Sequence, residues 1–314
     1  MRIGLPSPTS TNVRRLTLAN LAANIGLVLT GGLVRLTGSG LGCAEWPTCN
    51  EGNFVPTPEM GINTYIEFLN RTLTFVLVAI ALVTWLVIRR LDPPRKDMSR
   101  LAFMIGMGIP AQGVIGGITV LTGLNPYTVM LHLMVTMVLI YWAAVLHHRA
   151  RHLDRVVPDY SSTGMHWLAR ALLAATYLTL ALGTFVTGSG PHGGDPEAGR
   201  TGFDPALVSQ LHADAVFLLV GLSIALLILS RIIGTPGLRR AAAVLFGLEM
   251  LQGVIGYVQY FTGLPLVLVA IHLTMSALVM AAATVTAEEL RFVRALTARS
   301  RRGSTRADAT VSSS

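Results

Sequence analysis

Apolar and polar positions along this chain fall in long blocks. Eight predominantly apolar runs, near 16–36, 63–88, 101–121, 126–146, 166–187, 206–230, 239–261 and 265–287, are separated by stretches that gather the charges. A helix of about 20 residues, rising 1.5 Å per residue, crosses the hydrocarbon of a bilayer. The pattern therefore predicts an all-α integral membrane protein with eight transmembrane helices. Composition agrees: 52% of the 314 residues are hydrophobic and 13% charged, and a mean hydropathy of +0.59 is too apolar for a soluble domain. Residues 1–15 are polar and lack the apolar core and small-residue cleavage site of a signal peptide, so the first run is expected to be a retained helix.

Charge adds orientation. Arg14, Arg15, Arg89, Arg90, Arg95, Lys96, Arg100, Arg149, Arg151, Arg155, Arg231, Arg239, Arg240 and the Arg-rich segment from Arg291 all fall on one side of an eight-span topology. The positive-inside bias makes that side cytoplasmic, with both termini inside; the expected location is the cell (plasma) membrane. The opposite loops carry Glu45, Glu51, Glu59, Asp195, Glu197 and Asp204 against Arg200. The net charge of +8 thus reflects topology and attraction to anionic lipid, and gives no reason to expect nucleic acid. Residues 291–314 hold little to bury and are expected to form a disordered basic cytoplasmic tail.

The chain also repeats itself. An offset of 140 lays Gln112-Gly-Val-Ile-Gly116 on Gln252-Gly-Val-Ile-Gly256, Thr122-Gly-Leu124 on Thr262-Gly-Leu264 and His132 on His272, with eleven identities in the twenty-two positions from Gln112 to Leu133. An offset of 150 lays Thr37-Gly-Ser-Gly40 on Thr187-Gly-Ser-Gly190. Shared apolar composition would not bring Gln, Thr and His into register. The expected architecture is two tandem, pseudo-symmetric four-helix bundles, residues 1–150 and 151–290, each with a long outer loop after its first helix.

On this frame Asn70, His132, His212 and His272 reach nearly the same depth near the outer ends of their spans. A lone intramembrane histidine is ordinarily a hydrogen-bonded packing residue, but three at matched depth point to a metal centre between helices. Haem fits better than zinc, which needs four tetrahedral ligands. His212 and His272 can ligate one iron axially in the second half, making a haem site of the kind that mostly carries electrons. In the first half His132 faces Asn70, a poor iron ligand, and the iron there is expected to keep an open position for chemistry. Glu67 lies one turn from Asn70, over the haem edge, or else snorkels at the interface. Arg71, and more weakly Arg35, are candidates for a haem propionate.

Cys43 and Cys49 are the only cysteines. On an oxidising outer face a disulfide is expected; a redox-active pair is the alternative, although the spacing is not Cys-x-x-Cys. His147, His148, His152 and His166 fall at cytoplasmic helix ends and are expected to be interfacial. His192 either caps a haem edge or is solvated. Glu249, near the middle of its span, is expected to be protonated or paired with Gln252, and Asp214 to bond a neighbouring helix.

Several strings together resemble the heme A synthase family: Thr37-Gly-Ser-Gly-Leu-Gly-Cys43 with Trp46, Pro47 and Cys49, the Glu67-x-x-x-Arg71 segment, Thr187-Gly-Ser-Gly-Pro-His-Gly-Gly-Asp195 and the later histidines. The resemblance implies oxidation of the C8 methyl of heme O to a formyl group, giving heme A for terminal oxidases. It implies haem b on His212 and His272, heme O as substrate beside His132, and Glu67 as the functional carboxylate. The sequence departs from the family where Asn70 replaces the histidine of Glu-x-x-His. Partners compatible with this reading are heme O synthase, a quinol or ferredoxin electron donor, membrane lipid and a second copy of the chain. The competing readings are a di-haem, cytochrome b-like quinol-oxidising carrier and a haem-binding transporter or assembly chaperone.

Overall fold

The computed structural model describes residues 5–57, 59–153, 164–233 and 236–311, with side chains except those of 165, 233 and 292–311. Eight helices make up the fold: α1 (Ser10–Leu36), α2 (Ile62–Ile88), α3 (Lys96–Leu121), α4 (Pro126–Arg151), α5 (Gly164–Ser189), α6 (Pro205–Ile233), α7 (Pro236–Phe261) and α8 (Leu266–Val311). Each is long and apolar enough to cross a membrane, and the chain is a multi-pass membrane protein. Among the described residues the single β-type pairing is an isolated bridge between Asn50 and Asn53. The tail expected over 291–314 lies, apart from Arg291, outside the described side chains, as does Arg155.

Several helices overrun their apolar runs at the basic end. α3 begins at Lys96 and α4 continues to Arg151, because an intrahelical ladder satisfies backbone groups in the headgroup region as well as in hydrocarbon. Pro126, Pro205 and Pro236 open their helices, where a missing N–H costs nothing and φ is preset. The repeated Thr-Gly-Leu strings form one and the same turn. Leu124 N–H donates to Thr119 O and Leu264 N–H to Gln259 O, each at 2.8 Å. Gly123 and Gly263, with φ of 62° and 77°, supply the left-handed residue that such a helix stop requires.

Within the first half α1 packs on α2, α2 on α3 and α3 on α4, and α4 closes onto α1; α5 to α8 close in the same order. Between halves α4 packs on α8, and the contact of α1 with α8 is mirrored by that of α5 with α4. Exchanging the halves maps this interface onto itself, which is the pseudo-two-fold arrangement expected of a parallel repeat. Val28, Met137, Ile140, Ala277 and Met280 fill the seam, and a Cβ at Gly32 would come within 2.6 Å of Leu273 Cδ2, so the helices approach there at glycine.

Each bundle has its buried core at the basic end. The first core takes α2 residues from Leu77 onward and α4 residues from Leu139 onward; the second takes α6 from Leu219 and α8 from Val279. Arg14 Nε donates to Ala150 O at 3.3 Å, fixing the start of α1 beside the end of α4. The histidines singled out by the sequence lie in the opposite half of both bundles.

Candidate functional site

The four positions lie at similar distances from the starts of their helices. His132 lies six residues past Pro126, His212 seven past Pro205, His272 six past Leu266 and Asn70 eight past Ile62, a spread of about 3 Å along a helix axis. All four are partly buried. His212 Nδ1 sits 2.9 Å from Thr179 O, so Nδ1–H donates to α5 and Nε2 keeps its lone pair for a metal.

Glycines back each ring. A Cβ at Gly183 would stand 3.1 Å from His212 Cε1, and Cβ atoms at Gly116 and Gly256 would stand 3.3 Å from the Cε1 atoms of His132 and His272. The flanking hydrogen bonds repeat as well: Gln112 Nε2 donates to His132 O at 2.9 Å and Gln252 Nε2 to His272 O at 2.7 Å. Among the described residues His132 Nδ1, His272 Nδ1, Gln112 Oε1 and Gln252 Oε1 are buried without hydrogen-bond partners. Orphaned buried polar atoms are uncommon and costly, and here the same set occurs in both halves. His212 on α6 and His272 on α8 both lie outside the packed core of their bundle, and imidazole nitrogens are donors that suit iron.

The first half differs on one face. Asn70 Oδ1 accepts from Thr30 Oγ1 at 2.7 Å, so the asparagine is held by α1 as His212 is held by α5. At the offset that lays Thr37 on Thr187, Gly183 corresponds to Leu33. Both the histidine and the glycine that makes room for it are thus replaced together.

Above that face lies the outer loop. Cys43 and Cys49 form a disulfide with a Cα–Cα distance of 4.3 Å. Glu67, 4% exposed, accepts Cys43 N–H at 2.8 Å on Oε2 and pairs through Oε1 with Arg71 at 2.5 Å. Arg71 also donates through Nη1 to Glu45 O and Thr48 O and through Nη2 to Cys43 O, each at 3.0 Å. With Nε on Glu67 as well, all five guanidinium donors are engaged, and a propionate would have to displace one of them. The pair therefore clamps the disulfide loop onto α2. A Cβ at Gly117 would collide with the Trp46 ring, so the same loop also rests on α3. Glu45 reinforces it, its carboxylate accepting Thr48 Oγ1 and the N–H groups of Gly52 and Glu51; these bonds hold its pKa below the usual carboxylate value.

A family model described as cytochrome oxidase assembly protein matches residues 14–191, more than half of the chain. The chain belongs to the cytochrome oxidase assembly protein family. The matched residues include the disulfide loop, Glu67, Asn70, Arg71 and His132, and end before His212 and His272. Proteins named heme A synthase are similar over shorter stretches. That of Bacillus pumilus is 28% identical over 171 residues, 51% of this chain and 54% of the relative. That of Lysinibacillus sphaericus is 37% identical over 134 residues, 40% of this chain and 41% of the relative. That of Symbiobacterium thermophilum is 28% identical over 184 residues, 55% of this chain and 58% of the relative. The chain spans about half the length of the curated relatives it matches.

Other residues of this family member take partners that sequence spacing does not reveal. Arg35 donates to His192 O at 2.7 Å and Thr187 O at 3.0 Å, anchoring the second outer loop to the first half. His192 Nε2 lies 3.0 Å from Leu264 O, at the α7–α8 turn. Glu249 bonds Ser223 Oγ of α6 at 2.8 Å rather than Gln252, which is drawn instead to the His272 carbonyl. Asp214 accepts from Gln210 on its own helix, one turn back, and not from a neighbour. His148 and His166, placed by the sequence at an interface, are 2% and 8% exposed. Sequence reasoning passed over Thr30, Leu33 and Gly183, and named Trp46 without its contact on α3; the offset of 150 between halves held the signal for Leu33 and Gly183.

Proposed function

We propose that this protein is a heme A synthase, a haem-dependent membrane oxidoreductase that oxidises the C8 methyl of heme O to a formyl group. The observation that carries the reading is the pair of matched histidine sites, complete in the second half and open on the Asn70 side in the first. Family membership and the similarity to proteins named heme A synthase support it.

His212 and His272 would hold a haem b, with Thr179 O fixing the tautomer of the first. A doubly histidine-ligated haem supplies one-electron transfer. His132 binds the substrate haem from α4, while Asn70, tied to Thr30, leaves the other side of that site without an imidazole. Glu67 lies one turn above Asn70, acting on the substrate edge and holding the loop whose Trp46 covers α3. Excluding water from that end protects a reactive centre and strengthens every charge interaction within it. By the positive-inside rule the basic end and both termini face the cytoplasm of the plasma membrane, and the clamped loop faces outward. Heme O synthase as a docking partner and a quinol or ferredoxin as electron donor complete the reading.

Extraction and chromatography of haem from a heme O-producing host tests it. Heme A should accumulate with this protein and be absent without it; heme O unchanged at full expression contradicts the assignment.

A further inference from the structure

At the basic end of the first half, where α2 ends and α3 begins, the two helices and their link enclose an open pocket of about 450 Å³. Arg89, Arg95, Lys96 and Arg100 line it together with Trp85 and Phe103. Trp85 lies fifteen residues beyond Asn70 on α2, about 22 Å along the helix, so the pocket is separate from the site described above. No step of the proposed heme A synthesis uses it.

Charged and aromatic groups are ordered by depth. Lys96 opens α3 and Phe103 lies two turns further in; on α2, Trp85 lies one turn short of Arg89, which caps the helix end. The Arg89 guanidinium stands 4.8 Å from the centroid of the Trp85 ring, and the Trp85 and Phe103 rings are 5.7 Å apart. A guanidinium stacked on an aromatic face keeps the N–H groups at its edge free to donate. Arg95 is committed elsewhere, to Asp97 and, through Nη1, to Leu153 O at 2.8 Å. Among the described residues Arg89, Lys96 and Arg100 have no carboxylate within ion-pair distance. Of the two acids in this segment, Asp97 is held by Arg95 and Arg149, and Asp92 is not part of the lining.

Positive charge at this end follows from topology alone and occurs in both halves. The walls of the pocket do not repeat. The offset of 140 lays Arg100 on Arg240, but Lys96 on Pro236 and Phe103 on Ala243, and the register that lays Asn70 on His212 lays Trp85 on Leu227. We infer that this pocket binds the headgroup phosphate of one anionic phospholipid, with Arg89, Lys96 and Arg100 as its cationic rim and Trp85 and Phe103 against the glycerol and upper acyl chain. Basic pockets at this level of a membrane protein suit acidic headgroups, and aromatic rings sit where headgroup meets hydrocarbon. A zwitterionic headgroup would bring a cation of its own to a rim that has no carboxylate for it. Free inorganic phosphate would satisfy the rim and leave both aromatic walls uncovered, so the occupant is the lipid.

The test is native mass spectrometry of the purified full chain in detergent, with equal amounts of phosphatidylglycerol and phosphatidylcholine carrying the same acyl chains. One phosphatidylglycerol per chain should be retained, at least about tenfold in preference to phosphatidylcholine, and excess inorganic phosphate should not displace it. Lys96→Gln with Arg100→Gln should cut retention at least about tenfold. Arg239→Gln with Arg240→Gln removes the same charge from exposed positions at the same end and should retain the lipid as the parent does. Trp85→Leu, which installs the residue of the second half, should weaken retention with every charge in place. Lys96 and Arg100 are exposed, so their double variant remains informative if Trp85→Leu disturbs α2. Equal retention of the two lipids, equal loss in the two double variants, parent-like retention in a folded Trp85→Leu, or displacement by inorganic phosphate overturns the proposal.

Discussion

The first half carries Asn70 where the second carries His212, and the exchange extends to its surroundings. In the second half α5 offers Gly183 against the imidazole and a carbonyl for its Nδ1–H. In the first half the corresponding position is Leu33, and Thr30 satisfies the asparagine instead. The α4 and α8 sides, by contrast, keep the same histidine, the same backing glycine and the same glutamine bond. Divergence confined to one face of one site is what the proposed division into a reactive half and an electron-transfer half would leave. Two equally ligated electron carriers would have kept both faces alike.

The largest effect expected within this contrast is at Glu67. Glu67→Ala should stop heme A formation, or stall it at a partly oxidised product, while the second-half haem is retained. It also strips Arg71 of its counter-charge in a largely buried position, a loss on the order of 3–5 kcal/mol to the clamp. Glu67→Gln separates the two roles, since an amide oxygen can still accept Cys43 N–H. Loss of heme A in Glu67→Gln with the loop still protease-resistant assigns the carboxylate to chemistry, and full yield in both variants at matched expression removes it from the mechanism.

Next in size is the conversion of one half toward the other. Asn70→His alone should not create a second low-spin haem, because the position that aligns with Gly183 in the first half is Leu33, which lacks the glycine that backs the ring in the second half. Asn70→His with Leu33→Gly should create one and slow turnover by closing the open iron position. Absorption and EPR spectra of the two variants decide this; a full second low-spin signal from Asn70→His alone would remove Leu33 from the argument.

The converse change, Gly183→Ala, puts a methyl 3.1 Å from the His212 ring. It should displace the imidazole by a few tenths of an ångström and shift the second-half spectrum or midpoint potential, with the haem still bound. An unchanged spectrum and potential would mean that the ring has more room than the glycine contact indicates.

How far these contrasts could be read in advance depended on where each partner lay. The eight spans, the repeat and the common depth of Asn70, His132, His212 and His272 were legible because block length, offset and helix rise are properties of the chain itself. What Arg71 touches was not. Its partners lie 23 to 28 residues away in a loop, and nothing in Glu67-x-x-x-Arg71 says that the guanidinium turns up toward that loop instead of toward a propionate. Glu249 and Ser223 meet only because α6 packs on α7, while the nearer Gln252 is captured by α8. The burial of His148 likewise follows from the packing of α4 on α8.

The smallest effect concerns pH at the clamped loop. The hydrogen bonds to Glu45 lower its pKa below the unfolded value, so the stability it contributes is present above about pH 4.5 and is lost as pH falls through the lower, folded value. Proteolysis or hydrogen exchange of residues 43–53 should therefore quicken on acidification in the parent protein. Glu45→Gln should flatten that Glu45-dependent part of the profile; an identical acid profile in the variant would show that other groups govern the loop.

The contrast between halves is tested most directly by the spectrum of purified protein alongside His132→Ala, His212→Ala and His272→Ala. Two facing imidazoles give a low-spin, six-coordinate b-type haem. That signal should be largely intact in His132→Ala and lost or grossly altered in both second-half variants. A low-spin signal that survives both His212→Ala and His272→Ala, or that disappears with His132→Ala alone, contradicts the account.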